Sequence, residues 1–216
     1  MRRIPKLRKV KDTILILTNG KRTETNYFNS ITESYKSMFK IKVEPKNKQC
    51  DALVDYAISL KTLNYNQIWC VFDIDDTLIE GHLMQAIKKA ESNGINVAFS
   101  NESFEVWLLY HLSPQVKPNL TRRTYIKEIN KLLQSNGCNT PYQKNDKDLL
   151  KTEFLPKLLE ASENAKKIYQ RYEADHQKQF HGLKNYPIWD WKSTSTVYRL
   201  IDSLQLTPKN DKNDEI

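Results

Sequence analysis

The sequence predicts an α/β fold: a mostly parallel sheet of about four strands, followed by a helical C-terminal half. Three observations carry this. Up to about residue 100, short apolar runs alternate with segments whose apolar residues recur at helical spacing, as in a parallel sheet with crossover helices. Beyond Ser100 the helical spacing continues without another convincing strand. Glycine is scarce, at 5 of 216 residues, which argues against a glycine-rich nucleotide fold.

Thr13 to Leu17 (TILIL) is a short strand of the buried type, closed by the turn residues Thr18, Asn19 and Gly20. Tyr27, Phe28, Ile31, Tyr35 and Met38 then fall at helical spacing. IKVEP alternates and reads as a strand ended by Pro45. Asp51 caps a helix carrying Leu53, Val54, Ala57, Ile58 and Leu60. Ile68 to Asp73 (IWCVFD) is the strongest strand. A helix from about His82 to Asn93 follows, with Gly94 as its stop, and Ile95 to Phe99 is the next strand. Helices are then expected over about 102–111, 121–134, 147–172 and 194–204, with Pro156 interrupting the third.

The organisation that follows is a basic arm (1–12), an α/β core (13–112), a helical region packed on it (113–205) and a polar, disordered tail (206–216). The arm carries Arg2, Arg3, Lys6, Arg8, Lys9 and Lys11, which suit either a solvated tail or contacts to a phosphate backbone. Net charge is +8, which favours an anionic partner such as nucleic acid and is also compatible with plain solubility. Cys50, Cys70 and Cys138 are far apart and lack metal-ligand spacing. Cys70 lies in an apolar run and reads as core. A reduced, cytoplasmic setting is the expectation. No apolar stretch approaches a membrane span, and no signal-peptide core follows the basic N-terminus.

Val71 to Gly81 reads VFDIDDTLIEG, with three aspartates at the end of the strongest strand. Alternate strand residues share a face, so Asp73 and Asp75 are expected side by side, with Asp76 in the loop after them. Open α/β sheets bind ligands outside the carboxyl ends of their strands. Adjacent carboxylates there repel unless a cation sits between them or one is protonated, and hard oxygen ligands suit Mg²⁺ or Mn²⁺. The bland reading is that the aspartates end the strand and cap the next helix. A haloacid-dehalogenase-type phosphatase would use Asp73 as nucleophile and Asp75 as acid/base. Ser100 supplies its second motif, but no later strand ends in the acidic pair it also needs.

The flanks of this stretch carry a resemblance. ILILTNGKRTETNYF before the aspartates and SNESFEVWLLYHL after them, with VFDIDD between, resemble the RloB-like family. That family has an E-G-x-x-T-E-x-x-Y-F pattern after the first strand, then a D-x-D strand, then S-N-x-x-F-E-x-W-x-L-x-H. The matching residues are Gly20, Thr23, Glu24, Tyr27 and Phe28; Asp73 and Asp75; and Ser100, Asn101, Phe104, Glu105, Trp107, Leu109 and His111. Tyr142, Lys144 and the late STSTVYRLIDSL are also similar to the family. The resemblance implies a Toprim-like fold, metal-dependent nuclease chemistry and a role in bacterial defence against phage. It implies as partners nucleic acid, DNA or RNA, and a large ATPase encoded nearby. It leaves a homo-oligomer open.

One residue departs from the pattern. Asn19 stands where the family has a glutamate, which the resemblance places near the metal as a proton exchanger. An asparagine oxygen can ligate a cation weakly, but its amide cannot accept a proton at neutral pH. Glu24, five residues on, is the candidate substitute. Glu105 sits in an apolar helical run, where an unpaired carboxylate is costly, so it completes the acidic site or pairs with a lysine or arginine. Phe104, Trp107 and His111 read as packed core. Lys21, Arg22, Arg122, Arg123 and Lys127 are candidates for neutralising phosphates. Three readings follow: a metal-dependent nuclease with Asp73, Asp75 and Asp76 at the metal; a catalytically impaired module that binds nucleic acid or the ATPase; and the phosphatase.

Overall fold

The computed structural model describes residues 11–74, 80–117, 120–180 and 192–209. Its centre is a four-stranded, all-parallel sheet, as the alternation predicts. The strands are β1 (Thr13–Thr18), β3 (Lys40–Pro45), β4 (Gln67–Ile74) and β5 (Asn96–Asn101), in the order β3-β1-β4-β5. β1 and β4 are central because they are apolar throughout, which suits strands buried on both faces. The edge strand β3 carries Lys40 and Lys42, whose charges discourage edge-to-edge pairing.

Three crossover helices link the strands: α1 (Thr23–Ser34), α2 (Cys50–Ser59) and α3 (Glu80–Ser92). From β1 the chain moves outward to β3, then returns past β1 to β4 and continues to β5. The winding therefore reverses between β1 and β4. Because crossovers are right-handed, the helices of the two directions lie on opposite faces, and a crevice opens between the ends of β1 and β4. Consistent with this, α2 and α3 pack on each other, while α1 packs against the C-terminal helices. Gly94, at φ 68°, ends α3 in the left-handed conformation expected of a stop glycine.

The C-terminal half is helical: α4 (Glu105–Leu112), α5 (Arg122–Ser135), α6 (Lys147–Leu149), α7 (Leu158–Phe180) and α8 (Val197–Ser203). Every residue of α4 is buried, so it is a core helix rather than a surface one. Pro156 does interrupt the third predicted helix. Between α6 and α7 the chain passes through a π-helical stretch (Leu150–Phe154) and a 3₁₀ turn (Leu155–Lys157), since proline cannot donate the helical hydrogen bond.

Two segments differ from the sequence reading. The first helix was expected to run to Met38 but ends at Ser34. Tyr35–Ser37 is instead β2, paired antiparallel with β6 (Leu206–Pro208), which occupies the start of the predicted polar tail. Specific polar contacts, not periodicity, account for this. Ser37 donates to the Leu204 carbonyl at 2.6 Å, and Lys209 donates to the Thr32 and Glu33 carbonyls at 3.0 and 2.7 Å, capping α1. Residues 210–216 lie outside the described residues. The second difference is Thr194–Thr196, expected to be helical. Asn101 N–H donates to Thr194 O at 2.9 Å and Thr196 N–H to Phe99 O at 2.8 Å, so this segment seals the free edge of β5.

Among the described residues no helix is long and apolar enough to cross a membrane. The three cysteines are free, and Cys70 is buried as its apolar setting predicts.

His111 fastens α4 to α1. It is 2 % exposed, with Nδ1 3.0 Å from the Trp107 carbonyl and Nε2 3.0 Å from the Tyr27 hydroxyl. A carbonyl only accepts, so Nδ1–H donates to it and Nε2 accepts from tyrosine: the neutral ring. Burial holds the imidazole down to about 3. An unfolded histidine titrates near ~6.5, so the unfolded chain takes up a proton first, and stability is lost as pH falls from there towards the folded value. Each unit in that window costs up to about 1.4 kcal/mol. The urea midpoint of the natural chain should therefore fall more steeply from about pH 6.5 to 5 than that of His111→Gln. Parallel slopes would show that His111 is not buried neutral.

Candidate functional site

The crevice predicted by the topology is where the polar residues collect. Thr18 is level with Val71 in the β1–β4 register, and Asn19 N–H extends the pairing by donating to Val71 O at 3.0 Å. β4 continues beyond this point to Asp73, which lies opposite Ser100 of β5. Asn19 and Asp73 therefore stand at the carboxyl ends of adjacent central strands.

The turn after β1 is tied down by its own side chains. The Thr18 and Thr25 hydroxyls lie 2.9 Å apart, and each lies within 3.0 Å of the Gly20 carbonyl. This fixes the entry into α1, whose first turn carries Glu24, 5 % exposed. A carboxylate suits the positive end of a helix. The Glu24 carboxyl lies directly over Gly20: a β-carbon added there would meet Glu24 Oε2 at 2.1 Å and Oε1 at 2.3 Å. Gly20 is thus required for space rather than for an unusual backbone angle.

Asp73 is the most perturbed carboxyl of the group. Burial first, then the charges of Glu24 and Glu105, raise it well above the ordinary carboxylate value, against the pull of Arg122 and Lys144. Arg122 Nη2 is 3.4 Å from Asp73 Oδ2. Glu24 is also raised, by burial first, opposed by a hydrogen bond from its own backbone amide, with Glu105 adding to the rise. Glu105 is 3 % exposed and has Lys144 Nζ 2.9 Å from its Oε1, with the Tyr142 hydroxyl at 3.5 Å. Both alternatives considered for Glu105 hold together: it pairs with a lysine and it faces the acidic group.

Glu102 anchors the rim. Its carboxylate accepts from Arg122 N–H at 2.8 Å and from Lys192 Nζ at 2.9 Å. Burial raises Glu102, but these donors outweigh it and hold the group below the ordinary value. The Tyr125 hydroxyl adds a bond to Asn101 O at 2.8 Å. The start of α5, and with it Arg122, is held against the end of β5.

Of the predicted site residues, Asn19, Glu24, Asp73, Glu105 and Arg122 converge. Asp75 and Asp76 lie outside the described residues. Lys21 and Arg22 are exposed on the loop between Asn19 and α1, and Arg123 and Lys127 are exposed on α5. Ser100 and Asn101, read as helix-cap types, belong to β5 instead, and Ser100 Oγ is 3.0 Å from Ser195 Oγ. Sequence reasoning missed the structural roles of Gly20, Glu102 and Lys144. Only Lys144 had a signal, the need of buried Glu105 for a basic partner, and nothing in the spacing named which lysine.

A divalent ion was tested against these donors. Asn19 Oδ1 and Asp73 Oδ1 are buried and have no hydrogen-bond partner among the described residues. Two unsatisfied oxygens at the ends of neighbouring strands, backed by buried carboxyls, fit a hard cation. No group of three or more His, Cys, Asp or Glu side chains among the described residues could by itself hold an ion. The fit is therefore to Mg²⁺ or Mn²⁺, which keep several waters, rather than to a closed all-protein cage.

Residues 14–204 match the family model described as RloB-like protein. No significant match was found among curated proteins, and none among solved structures. The matched span runs from β1 to the end of α8 and takes in every site residue described above. On a match covering most of its length, the chain belongs to the RloB-like family.

Proposed function

We propose that this protein is a Toprim-like, Mg²⁺- or Mn²⁺-dependent nuclease that hydrolyses nucleic-acid phosphodiesters in an anti-phage defence system with a partner ATPase. The defence role and the ATPase rest on the family resemblance. The chemistry rests on one observation: the buried Asp73 carboxyl, flanked by Glu24 and Glu105, at the switch point of a parallel sheet. A divalent ion bound there would supply Lewis acidity towards a phosphoryl oxygen and a lowered pKa for water. Asp73 and Asn19 are the described residues that would hold it, with Asp75 and Asp76 as further candidates. Glu24, raised by burial, is the proton acceptor. Arg122 and Lys144, with Lys21, Arg22, Arg123 and Lys127 on the rim, would neutralise the substrate's phosphates. Calorimetry with Mn²⁺ should show binding that Asp73→Asn loses, together with any metal-dependent cleavage. Equal binding in both proteins would remove Asp73 from the site.

A second reading, a catalytically impaired module that binds nucleic acid or the ATPase, is favoured by Asn19. Its buried amide oxygen can ligate but cannot take a proton. The phosphatase reading has no such support: after β5 no described strand joins the main sheet, and β6 pairs with β2. Asn19→Glu separates the first two readings. It should raise Mn²⁺ affinity and increase cleavage, by up to the ~10²–10⁴-fold typical of general-base assistance. The same change in an Asp73→Ala background should do nothing. Robust cleavage by the natural chain that Asn19→Glu leaves unchanged would show that Glu24 already fills the role.

Gly20 provides an independent test of Glu24. The atom a β-carbon would meet is the end of a flexible side chain, so Gly20→Ala should keep the fold and displace the carboxylate. Its melting temperature should stay within a few degrees of the natural chain's, about 1 kcal/mol or less. Its cleavage rate should drop to that of Glu24→Gln, about 10²-fold or more. A Gly20→Ala protein as active as the natural chain would show that the position of Glu24 does not matter.

A further inference from the structure

Arg122 faces inward, towards Asp73, although its position at the start of an exposed helix suggested a simple surface contact with phosphate. The contact is long and single, 3.4 Å from Nη2 to Oδ2. A guanidinium fully engaged with a carboxylate makes two parallel bonds of about 2.7–2.9 Å. Lys144 contrasts with it, sitting 2.9 Å from Glu105. Arg122 therefore has the looser hold of the two cations. Its backbone, by contrast, is fixed: its N–H bonds Glu102, which Lys192 holds in turn. A long side chain, about half exposed, thus pivots from an anchored base.

Charge completes the argument. Glu24, Asp73 and Glu105 present three buried carboxyls to two cations. A divalent ion at Asp73 would bring more positive charge than the carboxyls can balance, and Arg122 beside it would be repelled. The nearest way to restore balance is an anion on the outer side, which a phosphodiester supplies.

We propose that Arg122 is an exchangeable counter-ion: it neutralises Asp73 when no metal is bound, and moves to a substrate phosphate when the metal takes its place. This rests on the metal reading above. It adds an order of events, metal before nucleic acid, and a positioning role for one named side chain.

The test compares Mn²⁺ binding, by calorimetry, to the natural chain, Arg122→Gln and Arg123→Gln. Arg122→Gln removes a competitor and should tighten Mn²⁺ binding about fivefold, the scale of one partly exposed ion pair. Arg123→Gln removes the same charge one residue away on the exposed side of α5, and at physiological salt should change it less than about twofold. Arg122→Lys, which keeps the charge but not the reach, should shift binding in the same direction if glutamine perturbs α5. A second measurement uses a phosphorothioate-linked single-stranded DNA oligonucleotide and fluorescence anisotropy. Mn²⁺ should strengthen its binding to the natural chain and not to Arg122→Gln. Unchanged or weaker Mn²⁺ binding in Arg122→Gln overturns the counter-ion, as does an equal shift in Arg123→Gln. Equal strengthening of oligonucleotide binding in both proteins overturns the transfer to phosphate. Absence of Mn²⁺ binding in all the proteins overturns the metal reading itself, and this inference with it.

Discussion

Glu24, Asp73 and Glu105 come from three separate elements, and each side chain is withdrawn almost completely from water. Carboxyls within electrostatic reach of one another cannot all ionise in such a place without counter-charge. Much of the molecule is arranged to supply it. Arg122 is brought to Asp73 by the start of α5, and Lys144 is brought to Glu105 by the segment after α5. Both cations come from the helical C-terminal half. That half is therefore not an appendage to the sheet, since the acidic crevice needs it to be neutralised.

The same dependence shows in the packing. α4 connects the sheet to the C-terminal helices and is buried on every side. Its Trp107 and His111, with Phe104 just before it, meet Tyr27 of α1 edge-on, and His111 meets Phe154 of the π-helical stretch in the same way. Such contacts have preferred geometries and resist sliding. Glu105 is the first residue of this helix, so its place beside Glu24 is set by a rigid element rather than by a loop. On the other side of the crevice the Thr18–Gly20–Thr25 hydroxyl contacts do similar work for Glu24.

Much of this was legible in the sequence, and the reasons are physical. The buried strands announce themselves as short apolar runs, and the position of Asp73 follows from the rule that ligands gather at strand carboxyl ends. The alternation alone could not say that the order is β3-β1-β4-β5, which puts Asn19 beside the strand of Asp73. Contacts made by single hydrogen bonds were not legible. β2 and β6 are three residues each, and their pairing depends on bonds such as Ser37 to Leu204, which leave no periodic trace. The Thr194–Thr196 seal on β5 is likewise a matter of backbone bonds, and its residues serve equally well to start a helix. Gly20 read as a turn residue. Only the structure shows that its missing side chain makes room for a carboxyl thirty-odd atoms along the chain.

Asn19 can be weighed in the same terms. The crevice already holds three buried carboxyls against two cations. A glutamate at position 19 would add a fourth beside Asp73, where burial and neighbouring charge already oppose ionisation. In the absence of a metal that arrangement would be destabilising, or one group would take up a proton. The asparagine keeps an oxygen at the strand end without adding charge, and so costs the folded chain less. Active sites often carry such destabilising charge because function requires it. The exchange of glutamate for asparagine relaxes that conflict towards stability, and it leaves Glu24, held over Gly20, as the carboxyl nearest in sequence that can still accept a proton.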